Sequence, residues 1–539
     1  MTTFNLSLAL TICWVAVSAQ PKKPNVILFM ADDMGIGDTS AYLGVKLMPS
    51  AKPIAKTLKT PNIERFAKQG MIFTDAHAPA SMCSSTRYSL LTGRLSHRSY
   101  LKQQGWLPHG PNRPMIQRAL TTLPEMLKRN GYATAAIGKY HVGMDFDDGH
   151  GFPADEFDFQ DVDFTKPVLD GPTHHGFDEF FGVPGNTEDP LDTEPRVYLR
   201  NDRWTFSDRS KMKLIGMKRR EGRILAAPDW NLAQLGPDYL REATGFVKRQ
   251  SKAQTPFFLY YVPNANHLQQ NATGPYAVPE SIAGTRIKGQ SRYSDGSKGG
   301  DREDMVLEND IAFGALLETL RETDDPRHPG HKLIDNTMVI FTSDNGPEVL
   351  TTVRMRQDHQ HDGAAPWRGM KRDLWEGGHR VPMIVKWPGK VPANSTTDAL
   401  ICQTDLMATL AKITNAQLPK NCAEDSIDFS KLLLGEARIG NREFIVHQGF
   451  AGDRKLAIRS KKWKYLNCGD SGGNNYQKQP LLRPYHDASQ PTADAQLYNL
   501  EVDPAETNNL YFQEPNVAIR MRAKLEEIKS RTGKPLPQK

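Results

Sequence analysis

The chain has little cysteine, little net charge and few long hydrophobic runs. It contains five cysteines in 539 residues, which excludes a small scaffold held together by disulfides. Lys and Arg (68) exceed Asp and Glu (62) by six charges, and no dense basic run is present, which argues against a nucleic-acid partner. The mild excess is compatible with an anionic substrate but does not specify one. The 42 glycines and 37 prolines predict many loops.

The only long apolar run lies at the N-terminus, over residues 5–19. It is short for a membrane span, and Val17-Ser18-Ala19 fits a small-x-small cleavage site, although no Lys or Arg precedes the run. We therefore predict a signal peptide over residues 1–19. The mature protein would be exported to the periplasm or the medium, with no membrane association after cleavage.

Cleavage at this site leaves four cysteines, Cys83, Cys402, Cys422 and Cys468. A Cys402–Cys422 disulfide suits an oxidising compartment, and unpaired cysteines are equally compatible with the sequence.

Apolar runs typical of buried strands alternate with helical patterns along most of the chain. The predicted strands are 25–31, 71–76, 133–138, 257–262, 337–342 and 383–387. The predicted helices are 60–66, 120–129 and 305–322. This alternation predicts an α/β fold with a mostly parallel, doubly wound sheet. Ligands bind beyond the carboxyl ends of the strands in such sheets.

The length predicts one large domain and one smaller domain. After about Gly435 the pattern changes to short alternating strands, and a last helix is predicted near 516–531. We predict a main α/β domain over residues 20–435 and a C-terminal α+β subdomain over 436–539, built on a small antiparallel sheet. Segment 145–203 is predicted to be an insertion over the site, and segment 284–301 is predicted to be a mobile loop.

Acidic and amide side chains follow two of the predicted strands. Asp32-Asp33 comes directly after strand 25–31, and Asp344-Asn345 follows strand 337–342. Hard oxygen ligands of this kind suit Ca²⁺ or Mg²⁺ and not zinc. A solvated turn is the commoner role for one such pair, but a second pair after a distant strand favours a metal site.

Two further motifs carry reactive side chains. Cys83 opens a helical run with Arg87 four residues later, so a helix dipole and a guanidinium would face the thiol. A buried core cysteine is the alternative. Lys139 and His141 alternate in a predicted extended segment, which places them on the same side, where they can hold an anion and move a proton. A core histidine with a snorkelling lysine is the alternative there.

The stretch Cys83-Ser-Ser-Thr-Arg87, followed by Leu-Leu-Thr-Gly-Arg94, resembles the signature of the type I sulfatase family, C-x-P-x-R then L-x-T-G-R. Ser85 stands where that pattern has proline, which bears on recognition by a maturation enzyme. Other stretches resemble further motifs of the family, which is part of the alkaline phosphatase superfamily; they are 138–143, 368–371, 376–382 and 497–510.

The resemblance implies that a formylglycine-generating maturation enzyme oxidises Cys83 to Cα-formylglycine. Its hydrate would attack the sulfur of a sulfate ester beside one divalent cation, Ca²⁺ in preference to Mg²⁺. The resemblance implies a set of cation ligands, namely Asp32, Asp33, residue 83, Asp344 and Asn345.

The resemblance also assigns roles around the modified residue. Arg87 and Lys139 would hold the hydrate and the sulfate oxygens. His141 would remove the proton of the second hydroxyl. His267, with Lys371, would protonate the leaving alcohol, although His267 lies in Pro-Asn-Ala-Asn-His and not in the family's commoner Pro-His-x-Pro.

His361-Asp362 is a candidate substrate contact, with an exposed loop as the alternative. Export and the predicted insertion favour a sulfated polysaccharide or oligosaccharide as substrate. Two other functions are compatible with the sequence: a phosphodiesterase or phosphonate monoester hydrolase of the same superfamily, and an inert secreted glycan-binding relative.

Overall fold

The computed structural model describes residues 23–101, 113–154, 161–187, 195–215, 224–267, 276–485 and 493–531. The predicted signal peptide lies outside these residues. Within them, no helix combines the length and the apolar character that crossing a membrane requires.

The strands of the described residues are β1 (Asn25–Ala31), β2 (Met71–Phe73), β3 (Ala76–His77), β4 (Ala133–Lys139), β5 (Glu179–Val183), β6 (Leu199–Arg200), β7 (Arg203–Trp204), β8 (Lys213–Ile215), β9 (Ile224–Ala226), β10 (Phe257–Val262), β11 (Ser281–Ile282), β12 (Thr285–Arg286), β13 (Thr337–Ser343), β14 (Met383–Lys386), β15 (Ser395–Thr397), β16 (Ile401–Cys402), β17 (Ile445–Gly449), β18 (Gly452–Arg459), β19 (Trp463–Leu466) and β20 (Gln496–Asn499). The α-helices are α1 (Pro61–Ala67), α2 (Cys83–Thr92), α3 (Leu123–Arg129), α4 (Leu235–Gln250), α5 (Asp301–Glu322), α6 (Val349–His359), α7 (Glu376–His379), α8 (Leu406–Thr414), α9 (Ser430–Leu433) and α10 (Pro515–Ser530).

A ten-stranded mixed sheet forms the centre of the molecule, in the order β15-β2-β14-β13-β1-β10-β4-β5-β6-β7. Its middle strands, from β13 to β5, are parallel, and β14 and β6 run antiparallel to their neighbours. The prediction of a mostly parallel, doubly wound sheet is confirmed.

Both faces of this sheet are covered, because alternate residues of β1 face opposite sides. Leu28 packs into one apolar cluster with residues of α2, α3 and α8, whereas Phe29 packs into another with residues of α1, α4 and α5. A strand buried on both faces reads as a continuous apolar run, which is why the sequence of β1 predicted it.

The predicted small antiparallel sheet is also confirmed: β17, β18, β19 and β20 pair in that order. Helix α10 packs its Met521 and Leu525 against this sheet. The four cysteines of the described residues are buried and free, so no Cys402–Cys422 disulfide is present.

Two loop predictions need correction. The segment 284–301 is not mobile: Tyr293 is fully buried, and the backbone N–H of Ser291 donates to Asp304 at 2.9 Å. The segment 145–203 is only partly an insertion, because β5 and β6 extend the main sheet. Both corrections concern tertiary hydrogen bonds that local composition does not record.

Candidate active site

The two acidic motifs lie side by side at the carboxyl edge of the sheet. The parallel register of β1 and β13 pairs Ala31 with Ser343, so the residues that follow each strand become neighbours. The backbone N–H of Asp33 donates to Asp344 Oδ1 at 3.1 Å, and Asn345 Nδ2 donates to Asp33 Oδ1 at 2.6 Å. The side chains of both motifs are fully buried.

Cys83 is the first residue of α2 and is 2% exposed. One potential ligand atom from each of Asp32, Asp33, Cys83 and His267 lies within 4.8 Å of the other three. Asp32 and Asp33 follow β1, His267 lies in the connection after β10, and Cys83 opens α2. Only the packing of α2 and the β10–α5 connection against the sheet edge brings them together.

Cations neutralise two of the buried carboxylates near Cys83. Lys139 Nζ lies 2.6 Å from Asp32 Oδ2. Arg87 donates from Nε and Nη2 to Asp344 Oδ2, at 3.1 and 2.7 Å, and from Nη1 to the carbonyl of Lys139 at 2.8 Å. Buried charges persist when they are paired and hydrogen-bonded in this way.

A third cation pairs with the remaining aspartate. Lys371 Nζ is 2.7 Å from Asp33 Oδ2 and 3.0 Å from His267 Nε2. The charges of Lys139, Lys371 and Arg87 all act on the thiol of Cys83, and side chains of this kind can bind the oxygens of a tetrahedral anion.

Two buried oxygens of the site lack a hydrogen-bond donor among the described residues, Asp32 Oδ1 and Asn345 Oδ1. Unsatisfied buried acceptors are costly, so an additional ligand is expected at both. A carboxylate oxygen and an amide oxygen fit a hard divalent cation. The donor set of this edge is therefore compatible with the predicted metal.

Burial dominates the proton equilibria of the site. It raises the pKa of the Cys83 thiol to about 12, against the opposing effect of Lys139 and Lys371. Burial, with the charge of Lys371, lowers the pKa of His267 to about 3. Burial therefore opposes the activation of the thiol that the helix and Arg87 would give, and a protonated thiol is a poor nucleophile.

Four residues of the site region adopt left-handed backbone conformations unusual for residues with a side chain. They are Asp33 (φ 55°), His141 (φ 53°), Asn266 (φ 84°) and Arg372 (φ 80°). Such conformations cost free energy and cluster at functional sites. The packing of the surrounding residues must therefore stabilise these four backbone conformations.

The left-handed conformation of His141 corrects the predicted geometry of Lys139 and His141. Strand β4 ends at Lys139, so the alternation of an extended segment does not reach His141. His141 is 5% exposed, and its backbone N–H donates to the carbonyl of Pro184 at 2.7 Å.

Sequence reasoning missed Glu348, Arg372 and Asn266. Glu348 lies 3.1 Å from Lys371 and 2.7 Å from Arg372. Although burial acts to raise the pKa of Glu348, Arg372 and Lys371 hold it below its ordinary range. Asn266 Nδ2 donates to the carbonyl of Asp33 at 2.9 Å. The closest cue to Glu348 in the sequence is its position, three residues after Asn345.

His361 is fully buried, and its ring nitrogens lie 3.0 Å from Asp38 Oδ1 and 3.3 Å from the carbonyl of Lys56. The alternative that His361 lies in an exposed loop is therefore wrong. Both of its ring nitrogens already have hydrogen-bond partners within the chain. Asp362 is partly exposed and pairs with Arg356 at 2.8 Å. Both residues line a cavity of about 570 Å³.

This sheet edge, with its buried acids, cations and helix-opening cysteine, is typical of hydrolases in the alkaline phosphatase-like superfamily. The family model described as Sulfatase matches residues 24–416, and the chain belongs to that family. It is a sulfatase, a hydrolase of sulfuric esters.

Similar proteins come from bacteria and mammals. The chain is 29% identical to an N-acetylgalactosamine-6-O-sulfatase of Bacteroides thetaiotaomicron, over 95% of this chain and 94% of that protein. It is 31% identical to arylsulfatase G of Mus musculus, over 87% of this chain and 82% of that protein. A solved structure from work on glycosaminoglycan metabolism by Bacteroides thetaiotaomicron superposes with a TM-score of 0.74 at 28% identity, covering 95% of this chain and 100% of that one.

Proposed function

We propose that this sulfatase removes sulfate from a sulfated polysaccharide or oligosaccharide through a formylglycine formed at residue 83. The observation that carries the proposal is the convergence of Asp32, Asp33, Cys83 and His267 within 4.8 Å of one another. Because similar proteins include N-acetylgalactosamine-6-sulfatases, N-acetylgalactosamine 6-sulfate is the first sugar to test.

Asp32, Asp33, Asp344 and Asn345, with the modified residue 83, would hold one Ca²⁺, or less favourably Mg²⁺. The orphaned oxygens of Asp32 and Asn345 support this assignment. When bound, the cation would neutralise negative charge on the sulfate and on the attacking oxygen. Sulfuryl transfer resembles phosphoryl transfer, in which positioning and charge neutralisation supply most of the catalysis.

The burial of Cys83, which raises the pKa of its thiol, supports the need for modification. A hydrated aldehyde would supply two hydroxyls on one carbon, one to attack sulfur and one whose deprotonation expels sulfate. Around it, Arg87 and Lys139 would orient the hydrate and the sulfate oxygens. Asp344 would assist deprotonation of the attacking hydroxyl, and His141 would accept the proton of the second.

His267 and Lys371 would deliver a proton to the leaving alcohol. Lys371 Nζ faces His267 Nε2 at 3.0 Å, so a proton can pass between them before it reaches the substrate.

We further propose that a maturation enzyme modifies Cys83 despite Ser85 and that the protein is exported. We also propose that residues 20–435 and 436–539 form its two domains.

The proposal is tested by mass spectrometry of the tryptic peptide 69–87. Formylglycine lowers its mass by about 18 Da relative to the cysteine form. The enzyme is then assayed on a panel of sulfated sugars and on matched aryl sulfate and aryl phosphodiester. An unmodified cysteine with no sulfate release supports an inert glycan-binding relative. Faster phosphodiester cleavage supports the phosphodiesterase alternative.

A further inference from the structure

A buried arginine outside the catalytic cluster lacks hydrogen-bond acceptors. Arg302 lies in the first turn of α5 and is 4% exposed, yet its Nε, Nη1 and Nη2 donate no hydrogen bond to any described residue. Arg302 forms an ion pair with Asp38, whose Oδ2 is 4.0 Å from Nη2, beyond hydrogen-bond distance.

Asp38 is already engaged elsewhere. Its Oδ1 lies 3.0 Å from His361 Nε2, and its Oδ2 accepts from the backbone N–H of Gly35 at 3.0 Å. It therefore balances the charge of Arg302 without satisfying its donors. An unsatisfied buried donor is costly, and a guanidinium presents a planar fork that matches an oxyanion.

Helix α5 directs Arg302 toward the active-site loop. Arg302 and Asn309 are seven residues apart and share one face of the helix. On that face, Asn309 Nδ2 donates to the carbonyl of Ala265 at 3.1 Å. Ala265 lies two residues before His267 in the loop that follows β10.

A buried tyrosine hydroxyl interacts electrostatically with the same guanidinium. Tyr276 Oη is buried and has no hydrogen-bond partner among the described residues. Burial raises the pKa of this hydroxyl, and the charges of Arg302 and Arg354 act to lower it. Arg354 is an exposed residue of α6, so the charges of cations on two helices act on this hydroxyl.

An acidic residue of the active site also acts on this hydroxyl. The charge of Glu348 raises the pKa of Tyr276, and Glu348 lies 3.1 Å from Lys371 in the catalytic cluster. Tyr276 is therefore within electrostatic reach of the carboxylate that pairs with Lys371.

We propose that Arg302, with Tyr276 and Arg354, binds a second anionic group of the glycan, on the sugar next to the one that loses sulfate. This inference rests on the proposed glycan sulfatase function and adds a specificity-determining position to it. The shared chemistry is an oxyanion, supplied either by a uronate carboxylate or by a second sulfate. The planar guanidinium satisfies either with two parallel hydrogen bonds.

The test compares Arg302→Gln and Tyr276→Phe with the wild type on three substrates. These are a sulfated sugar whose only charged group is the sulfate that the enzyme removes, the same sugar linked to a uronate, and the same sugar with a neighbouring second sulfate. For Arg302→Gln we expect kcat/KM on one or both of the doubly charged substrates to fall about 10- to 100-fold further than on the singly charged one, mainly through KM. Tyr276→Phe should have a smaller effect on the ratio of kcat/KM for the doubly charged substrates to kcat/KM for the singly charged one. Arg321→Gln, in the last turn of the same helix, should leave this ratio unchanged.

Binding of the uronate-linked and sulfate-bearing products to the Cys83→Ala protein, with and without Arg302→Gln, separates this proposal from the proposed function. Weaker binding after Arg302→Gln supports the inference even where the wild type releases no sulfate, an outcome that defeats the proposed function alone. Equal losses on the singly and doubly charged substrates, or unchanged product binding, overturn the inference. The doubly charged substrate that shows the loss identifies carboxylate or sulfate as the bound group.

Discussion

Lys371 Nζ lies 3.0 Å from His267 Nε2, across 104 residues of chain. The two side chains also share Asp33, whose Oδ2 is 2.7 Å from the lysine and 3.5 Å from the histidine. Groups that share a partner in this way behave as one unit, because removing either changes the environment of the other.

We therefore expect His267→Ala and Lys371→Met each to lower kcat by about 10²- to 10⁴-fold, as loss of a positioned proton donor does. The double variant should be little worse than the worse single variant. Steady-state kinetics on the preferred sulfated sugar, with melting temperatures to verify folding, provide the measurement. Multiplicative losses in the double variant contradict the coupling.

Residue 83 offers the clearest chemical test. Cys83→Ala should abolish turnover, because no nucleophile remains. Cys83→Ser should transfer sulfate at most once per active site and then stall, because a single hydroxyl cannot expel the bound sulfate through an aldehyde. Mass spectrometry should detect about 80 Da on the serine peptide, the mass of one transferred SO₃ group. Sustained turnover by Cys83→Ser refutes the role given to the second hydroxyl.

Metal removal should inactivate the enzyme. We expect dialysis against a chelator to abolish sulfate release and Ca²⁺ to restore it better than Mg²⁺, since the site offers carboxylate and amide oxygens. Asp32→Asn should weaken Ca²⁺ binding about 10- to 100-fold. Calorimetry on chelated protein measures this, with the exposed Asp358→Asn as the control. Full activity after chelation argues against a catalytic cation.

Glu308 should make stability depend on pH. Burial raises its pKa to about 8, and its Oε1 packs against the backbone of Gly236. The folded state thus holds this proton more tightly than the unfolded state does. Its contribution to stability is complete below the unfolded pKa and is lost as the pH rises toward about 8.

The free energy of unfolding of the wild type, relative to Glu308→Gln, should therefore fall between about pH 5 and pH 8. Denaturant unfolding at several pH values measures the difference. Glu318→Gln, on the exposed side of α5, is the matched control. A difference that does not change with pH is incompatible with this titration.

Arg459 links the C-terminal sheet to the segment that precedes Cys83. Fully buried, it lies 2.7 Å from Asp75 and 3.1 Å from Glu376. Arg459→Met leaves both carboxylates short of a cation and should lower the free energy of unfolding by about 3–5 kcal/mol. Denaturant unfolding, with the exposed Arg454→Met for comparison, provides the check. A loss below about 1 kcal/mol, as for a surface pair, contradicts it.

Local sequence alone was sufficient for the central strands. The apolar runs predicted at 257–262 and 337–342 match β10 and β13 to within one residue, because a strand buried on both faces needs an uninterrupted apolar sequence. The motifs around Asp32, Cys83 and Asp344 could also be recognised from the sequence, since the chemistry of their side chains is independent of the fold.

Tertiary structure decided which of these groups meet. The register of β1 against β13 sets Asp33 beside Asn345, and the left-handed turn at His141 ends the alternation that the sequence predicted. Neither the contact of Glu348 with Lys371 nor the unsatisfied guanidinium of Arg302 has a local signal. Periodicity along the chain records which side chains are buried, but distances between remote residues depend on strand order, register and helix packing.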